Sequence, residues 1–209
     1  MQTFLKIAKP PNSEDKREWY RWFYRVAELL NITGYDDLQG PLLGRNLESP
    51  ASNIIQNNAE GAITFKTTAR LTDYVVINLQ LAHRWKIGGS IKPHIHWFQN
   101  YPETPNFMIQ HRWQRNGEAK TTAWTSSKWS DTTFPFVSAT FNQITSFGVI
   151  TPPDGYNISD ILQIRLIRDY TNQSTLFSGA DTYTGDVNVM SLDCHYEADG
   201  IGSVKEYTK

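Results

Sequence analysis

The chain has 209 residues, room for one large β domain with an appendage, and its 20 Lys and Arg balance 21 Asp and Glu. That balance leaves no positive field for nucleic acid or an anionic membrane, and a single cysteine excludes an internal disulfide framework. The N-terminus lacks a secretory apolar run and no stretch of about eighteen apolar residues occurs, so the expectation is a soluble protein made in the cytoplasm, without membrane insertion.

Pro10 and Pro11 break the chain before Ser13. The run SEDKREWYRWFYRVAELLN then sets Trp19, Trp22, Phe23, Val26, Leu29 and Leu30 at i, i+3, i+4 spacing, which predicts a helix. Ser13 suits the N-cap, Glu14 and Asp15 the electropositive first turn, and Gly34 the end after Asn31. The aromatic stripe requires burial, either as a lid on the β domain or against a neighbouring subunit or larger assembly. Residues 34–60 carry Gly34, Gly40, Pro41, Gly44 and Pro50 with short apolar pairs such as Leu42 and Leu43, and read as an extended arm or long loop over a surface. The expected division is therefore a helix and arm over 1–60 and a β domain over 61–209.

From Gly61 the period becomes two. AITFKTTA (62–69), DYVVINLQLAH (73–83), SIKPHIHWFQ (90–99) and NFMIQHRWQR (106–115) read as strands separated by turn-prone clusters. FPFVSATFNQI (134–144), ILQIRLIRD (161–169) and DVNVMSLDCHYEAD (186–199) add to a set of about seven or eight, the spacing of a sandwich or barrel. Val75, Ile77, Leu79 and Leu81 share one face, which is assigned to the core. In the last strand strict alternation places Val187, Val189, Ser191, Asp193 and His195 opposite Asn188, Met190, Leu192, Cys194 and Tyr196, and neither face is cleanly polar. Cys194 reads as a buried small hydrophobe, and strand geometry turns its neighbour His195 to the other face, so the two do not form a nucleophile and base.

The segment IKPHIHWF (91–98) sets Ile91, Pro93, Ile95 and Trp97 against Lys92, His94, His96 and Phe98. His94 and His96 thus share a face about 7 Å apart along the strand. Gly88 followed by His94-Ile95-His96 resembles the start of the first cupin motif, in which two histidines of one strand bind a metal inside a jelly-roll barrel. The glutamate that should follow is missing where Asn100 and Tyr101 stand, Glu103 comes too late, and His111 and His195 lack the second motif's setting. Imidazoles hydrogen-bonded in a wet groove or at a subunit boundary are therefore the preferred reading, with no cofactor expected and His94 and His96 as the metal candidates. No G-x-S-x-G, H-E-x-x-H, P-loop or G-x-G-x-x-G is present, and Asp36 and Asp37 sit in loop-like sequence, so nothing argues for an enzyme. Among Trp85, Trp97, Trp113, Trp124 and Trp129, most are expected to fill a core or subunit seam. Trp124 and Trp129, in the Ser/Thr-rich TTAWTSSKWSDTT, are the expected exposed pair for a glycan contact.

The succession GAITFKTT, LQLAHRWKIGGSIKPHIHW, ILQIRLIRDY and VNVMSLDCHYEADGIGS, over residues 61–203, resembles a group of small virion structural proteins of tailed bacteriophages. These pair a proline-and-histidine strand of the HPHIHW kind with a DxHYExDxxGS ending. The resemblance implies an all-β, jelly-roll-like antiparallel sandwich that associates, commonly as a homotrimer, on the outside of the particle at head, neck or tail. It carries His94, His96 and Trp97 onto the first motif and Asp193, His195, Tyr196, Glu197 and Asp199 onto the second, with the implied role of knitting strands or subunits. Trp19, Trp22, Phe23 and Val26 would anchor the chain to other virion proteins. A receptor- or carbohydrate-binding module for host-surface glycans is the first alternative, and a cupin-type metalloenzyme the second.

Overall fold

The computed structural model describes residues 10, 15–30, 34–44, 53–57, 59–101, 103–128 and 142–199. Among them one helix, α1 (Lys16–Leu30), precedes eleven strands: β1 (Gly34–Gln39), β2 (Leu43–Gly44), β3 (Ile54–Asn57), β4 (Ala62–Phe65), β5 (Tyr74–Gln80), β6 (Ile91–Phe98), β7 (Phe107–Gln114), β8 (Thr125–Lys128), β9 (Gln143–Ser146), β10 (Ile161–Arg168) and β11 (Val187–Ala198).

Strands β4 to β11 make two antiparallel sheets in the orders β4-β11-β6-β9 and β5-β10-β7-β8, the jelly-roll arrangement. Every connection but the β7–β8 hairpin crosses from one sheet to the other. Alternation in sequence dictates this, because each strand has one apolar face that only an opposing sheet can cover. Val75, Ile77, Leu79 and Leu81 are all buried, as assigned, and the first sheet contributes Ile91, Ile95, Trp97, Val187, Val189 and Leu192 to the same core. Trp85 and Trp97 are wholly inside, their indole N–H groups donating to Gly89 O at 3.1 Å and Thr145 Oγ1 at 2.8 Å. A buried indole with a satisfied N–H contributes its full apolar area without a polar penalty.

Among the described residues of the stretch read as an arm, three short strands join the two sheets. β1 pairs residues 34–39 with 198–193 of β11, β2 pairs with β5 and β3 with β4, while Leu38 and Ile54 enter the core. The sequence hides this because β1 is GYDDLQ, with one buried side chain in six and the remaining described ones exposed. β8 was missed for the same reason: TSSK is a polar edge strand, held by pairing with Met108–His111 of β7. Of the strand expected over 134–144, residues 134–141 lie outside the described residues, and β9 occupies 143–146.

The mixed faces of the last strand come from a β-bulge. Register against β6 shifts between Val189 and Ser191, so the inward series runs Val187, Val189, then Leu192, Cys194, Tyr196 and Ala198. One extra residue reverses which side chains face the core. Strict alternation therefore misplaced Leu192, Cys194 and Tyr196 relative to Val187, and it is the bulge that sends Asp193 and His195 outward.

Helix α1 forms where its spacing predicts. Its N-cap is Asp15 rather than Ser13, which lies outside the described residues: the Asp15 carboxylate accepts from Arg17 N at 2.8 Å. Trp19 and Trp22 meet edge to face at 5.8 Å.

Candidate functional site

A tight turn delivers the histidine strand. Lys86 O accepts from Gly89 N at 2.7 Å, Gly88 sits at φ +78°, and a Cβ on Gly89 would lie 2.7 Å from Lys86 O. Only glycine fits both positions without strain. From there β6 runs between β11 and β9, burying Ile91, Pro93, Ile95 and Trp97 and turning Lys92, His94, His96 and Phe98 outward.

On that outer face Asp193 of β11 lies directly across from His94, and Ser191 across from His96. Asp193 Oδ2 is 3.9 Å from His94 Nε2 and 3.6 Å from His96 Nε2, and it accepts a hydrogen bond from Ser191 Oγ at 2.9 Å. The His94 ring stacks against His195 at 4.3 Å and meets His96 at 5.2 Å. His195 turns its Nε2 toward Asp37 Oδ1 of β1, 3.1 Å away. Three imidazoles and two carboxylates from three strands thus share one patch.

His94 is 4% exposed although it lies on the outward face, because neighbouring rings cover it. Burial first, and the adjacent His195 second, push its pKa below the usual imidazole range, with Asp193 pulling partly the other way. Its Nδ1 is buried without a hydrogen-bond partner. This side chain is a neutral imidazole at neutral pH, as a metal ligand or hydrogen-bonding group requires.

The other residues of the closing motif tie strands within the chain. Tyr196 OH donates to Asp36 Oδ2 of β1 at 3.1 Å, with burial and then Asp36 raising its pKa to about 12. Glu197 takes Lys86 Nζ at 2.8 Å, and Asp199 N donates to Arg84 O at 2.9 Å. Trp97, by contrast, is a core residue. Cys194 faces the core, and burial holds its thiol well above the ordinary range, which leaves it no nucleophilic role.

The histidine pair points away from the sandwich interior, opposite to the placement the cupin motif implies. His111 is in the other sheet, on β7, and takes no part. Of the tryptophans, Trp85, Trp97 and Trp113 are buried, and Trp129 lies outside the described residues. Trp124 is half-buried with the Arg112 and Arg165 guanidiniums over its ring at 4.2 and 3.8 Å, so cations already occupy the surface on which a sugar would stack. Of the expected helix anchors, Trp19, Trp22 and Val26 are half-buried, and the Phe23 side chain lies outside the described set. Among the described residues no helix is long and apolar enough to cross a membrane.

Asp37 was the member that sequence reasoning did not join to the histidines, and Asp193 was grouped with them only through the resemblance. The signal available was the charge of Asp193 inside an apolar strand, but its partner depended on register and bulge.

Fold and patch together define a jelly-roll β-sandwich with a histidine–carboxylate cluster on the outer face of one sheet. No family model matches the chain, and no curated protein matches it. Among solved structures it is similar to the CBM22-1 and GH10 modules of an endo-1,4-beta-D-xylanase from Clostridium thermocellum complexed with xylohexaose, at TM-score 0.38 and 11% identity, over 82% of this chain and 28% of that one. The chain thus spans under a third of that structure's length.

Proposed function

We propose that the protein is a non-enzymatic structural component of a tailed-phage virion, self-associating on the particle exterior as a decorating or stabilising protein or as a head-, neck- or tail-associated adaptor. The observation that carries this reading is the order of the four segments that resemble the virion proteins, which fall on β4, β6, β10 and β11 and the chain beside them, so the likeness extends through the frame of the sandwich. The helix α1 adds a stripe of half-buried Trp19, Trp22 and Val26. An amphipathic helix gains most of its stability from burying its apolar face, and aromatic side chains are what protein interfaces use as anchors.

The test is a deletion ending at Thr33. Cutting at residue 60 would also remove β1, β2 and β3 with the core residues Leu38 and Ile54, and would confound anchoring with folding. Full-length chain should run as an oligomer, a trimer for a threefold site, by native mass spectrometry, and should enter particles. The chain lacking residues 1–33 should keep its sheet spectrum and lose incorporation. A full-length monomer at micromolar concentration, or undiminished incorporation of the truncated chain, contradicts the proposal.

A further inference from the structure

We propose that His94, His96 and Asp193 form a binding site for a divalent transition-metal ion of the zinc class, on the outer face of the first sheet. One ring nitrogen of each histidine and one carboxylate oxygen lie within 4.8 Å of one another. The separations from Asp193, 3.9 and 3.6 Å, are too long for hydrogen bonds. Ligands about 2.0–2.2 Å from a tetrahedral zinc ion stand roughly 3.3–3.6 Å apart, so the two separations from Asp193 close by a few tenths of an ångström, and the widest pair of the set, at up to 4.8 Å, by about 1 Å through rotation of the partly exposed His96 ring. Two imidazoles and one carboxylate suit zinc and its neighbours rather than calcium or magnesium, which take oxygen cages.

A second observation is independent of that spacing. His94 is 4% exposed and its Nδ1 has no hydrogen-bond partner, while Nε2 faces Asp193 beyond bonding reach. Buried polar groups without partners are rare in native proteins, and an ion held between His94 Nε2 and Asp193 gives that nitrogen a partner, while Nδ1 stays without an outer hydrogen bond. Part of a supporting shell is in place elsewhere in the cluster. Ser191 Oγ orients the Asp193 carboxylate at 2.9 Å, and His195 packs on the His94 ring while its own Nε2 is turned to Asp37. The His96 side chain, 32% exposed, leaves solvent access for the ion and for a water in the fourth position.

This site differs from a cupin centre in two ways: it faces outward, and its carboxylate comes from the paired strand β11 rather than from the histidine strand. An ion here clips β6 to β11, the central pair of the first sheet, whether or not the chain belongs to a virion.

The experiment uses untagged full-length protein, stripped with chelator and titrated with zinc chloride by calorimetry and with cobalt chloride by visible absorption, with melting followed in parallel. One equivalent of zinc should bind, cobalt should give d–d bands, and the melting temperature should rise. His96→Gln, at a partly exposed position, and Asp193→Asn should each weaken zinc about tenfold or more, in line with the loss of a ligand or its support. No saturable binding of zinc to the wild-type chain overturns the proposal. So does one-to-one binding that both variants retain at full strength.

Discussion

Arg168 Nε donates to Asp181 Oδ2 across 2.8 Å with both side chains wholly buried. The same guanidinium donates to Phe65 O at 3.2 Å, Gly185 O at 2.7 Å and Tyr183 O at 2.5 Å. Asp181 in turn accepts from Asn106 N at 3.0 Å and Tyr183 N at 2.7 Å. The pair therefore pins the long connection between β10 and β11 to β4 and to the start of β7. Together with the bonds from Asn106 Nδ2 to Gly179 O and from Asn100 N to Tyr183 OH, it fixes the path of the chain entering β11, whose register places Asp193 beside the histidines.

Removing one member of this pair leaves the other charge buried and alone. Arg168→Leu is expected to cost about 3–5 kcal/mol, the range for breaking a buried ion pair from one side. Chemical denaturation gives the answer directly, and a loss under about 1 kcal/mol would show that the pair is replaceable.

Gly89 is the tightest point ahead of β6. Because an added Cβ would meet a backbone oxygen at 2.7 Å, Gly89→Ala must shift the turn, at a cost of about 1–3 kcal/mol. Thermal melting of the variant measures this, and a melting temperature equal to wild type would mean the turn relaxes freely.

The pH profile of stability should fall on both sides of neutrality. Burial holds His111 below its ordinary 6.5, and His94 shifts the same way. Below pH 6.5 the unfolded chain therefore takes up protons that the folded chain resists, and stability is lost as pH falls toward the folded values. Tyr196 works in the alkaline direction. Its phenol ionises near 10 when unfolded and near 12 when folded, so stability is complete below 10 and declines as pH rises through that interval. Denaturation midpoints across pH should flatten on the acid side in His111→Gln and on the alkaline side in Tyr196→Phe. Unchanged limbs in both variants would assign the pH dependence to other groups.

Period-two alternation was enough to place the strands that make the body of each sheet, because a half-buried strand must write its buried face into every second residue. Val75 to Leu81 and Ile91 to Trp97 are legible in this way, and so is the helical stripe of Trp19, Trp22 and Val26. His94 and His96 were likewise visible as a pair sharing one face, and Cys194 and His195 as opposed neighbours, whereas the outward direction of the histidine pair was not legible. Edge strands were not legible. β1 and β8 bury little, so burial leaves no periodic mark on GYDDLQ or TSSK, and backbone pairing alone makes them strands.

What the sequence determined by itself was the kind of layer each segment enters and which side chains of one strand travel together, since both follow from local geometry. Which strand lies beside which was decided only in three dimensions. Asp193 is opposite His94 because β11 pairs with β6 and slips by one residue at Met190, and Asp37 reaches His195 because a polar segment far back in the chain completes the same edge. Distances between strands depend on register, and register is fixed by the whole core at once rather than by any short stretch of residues.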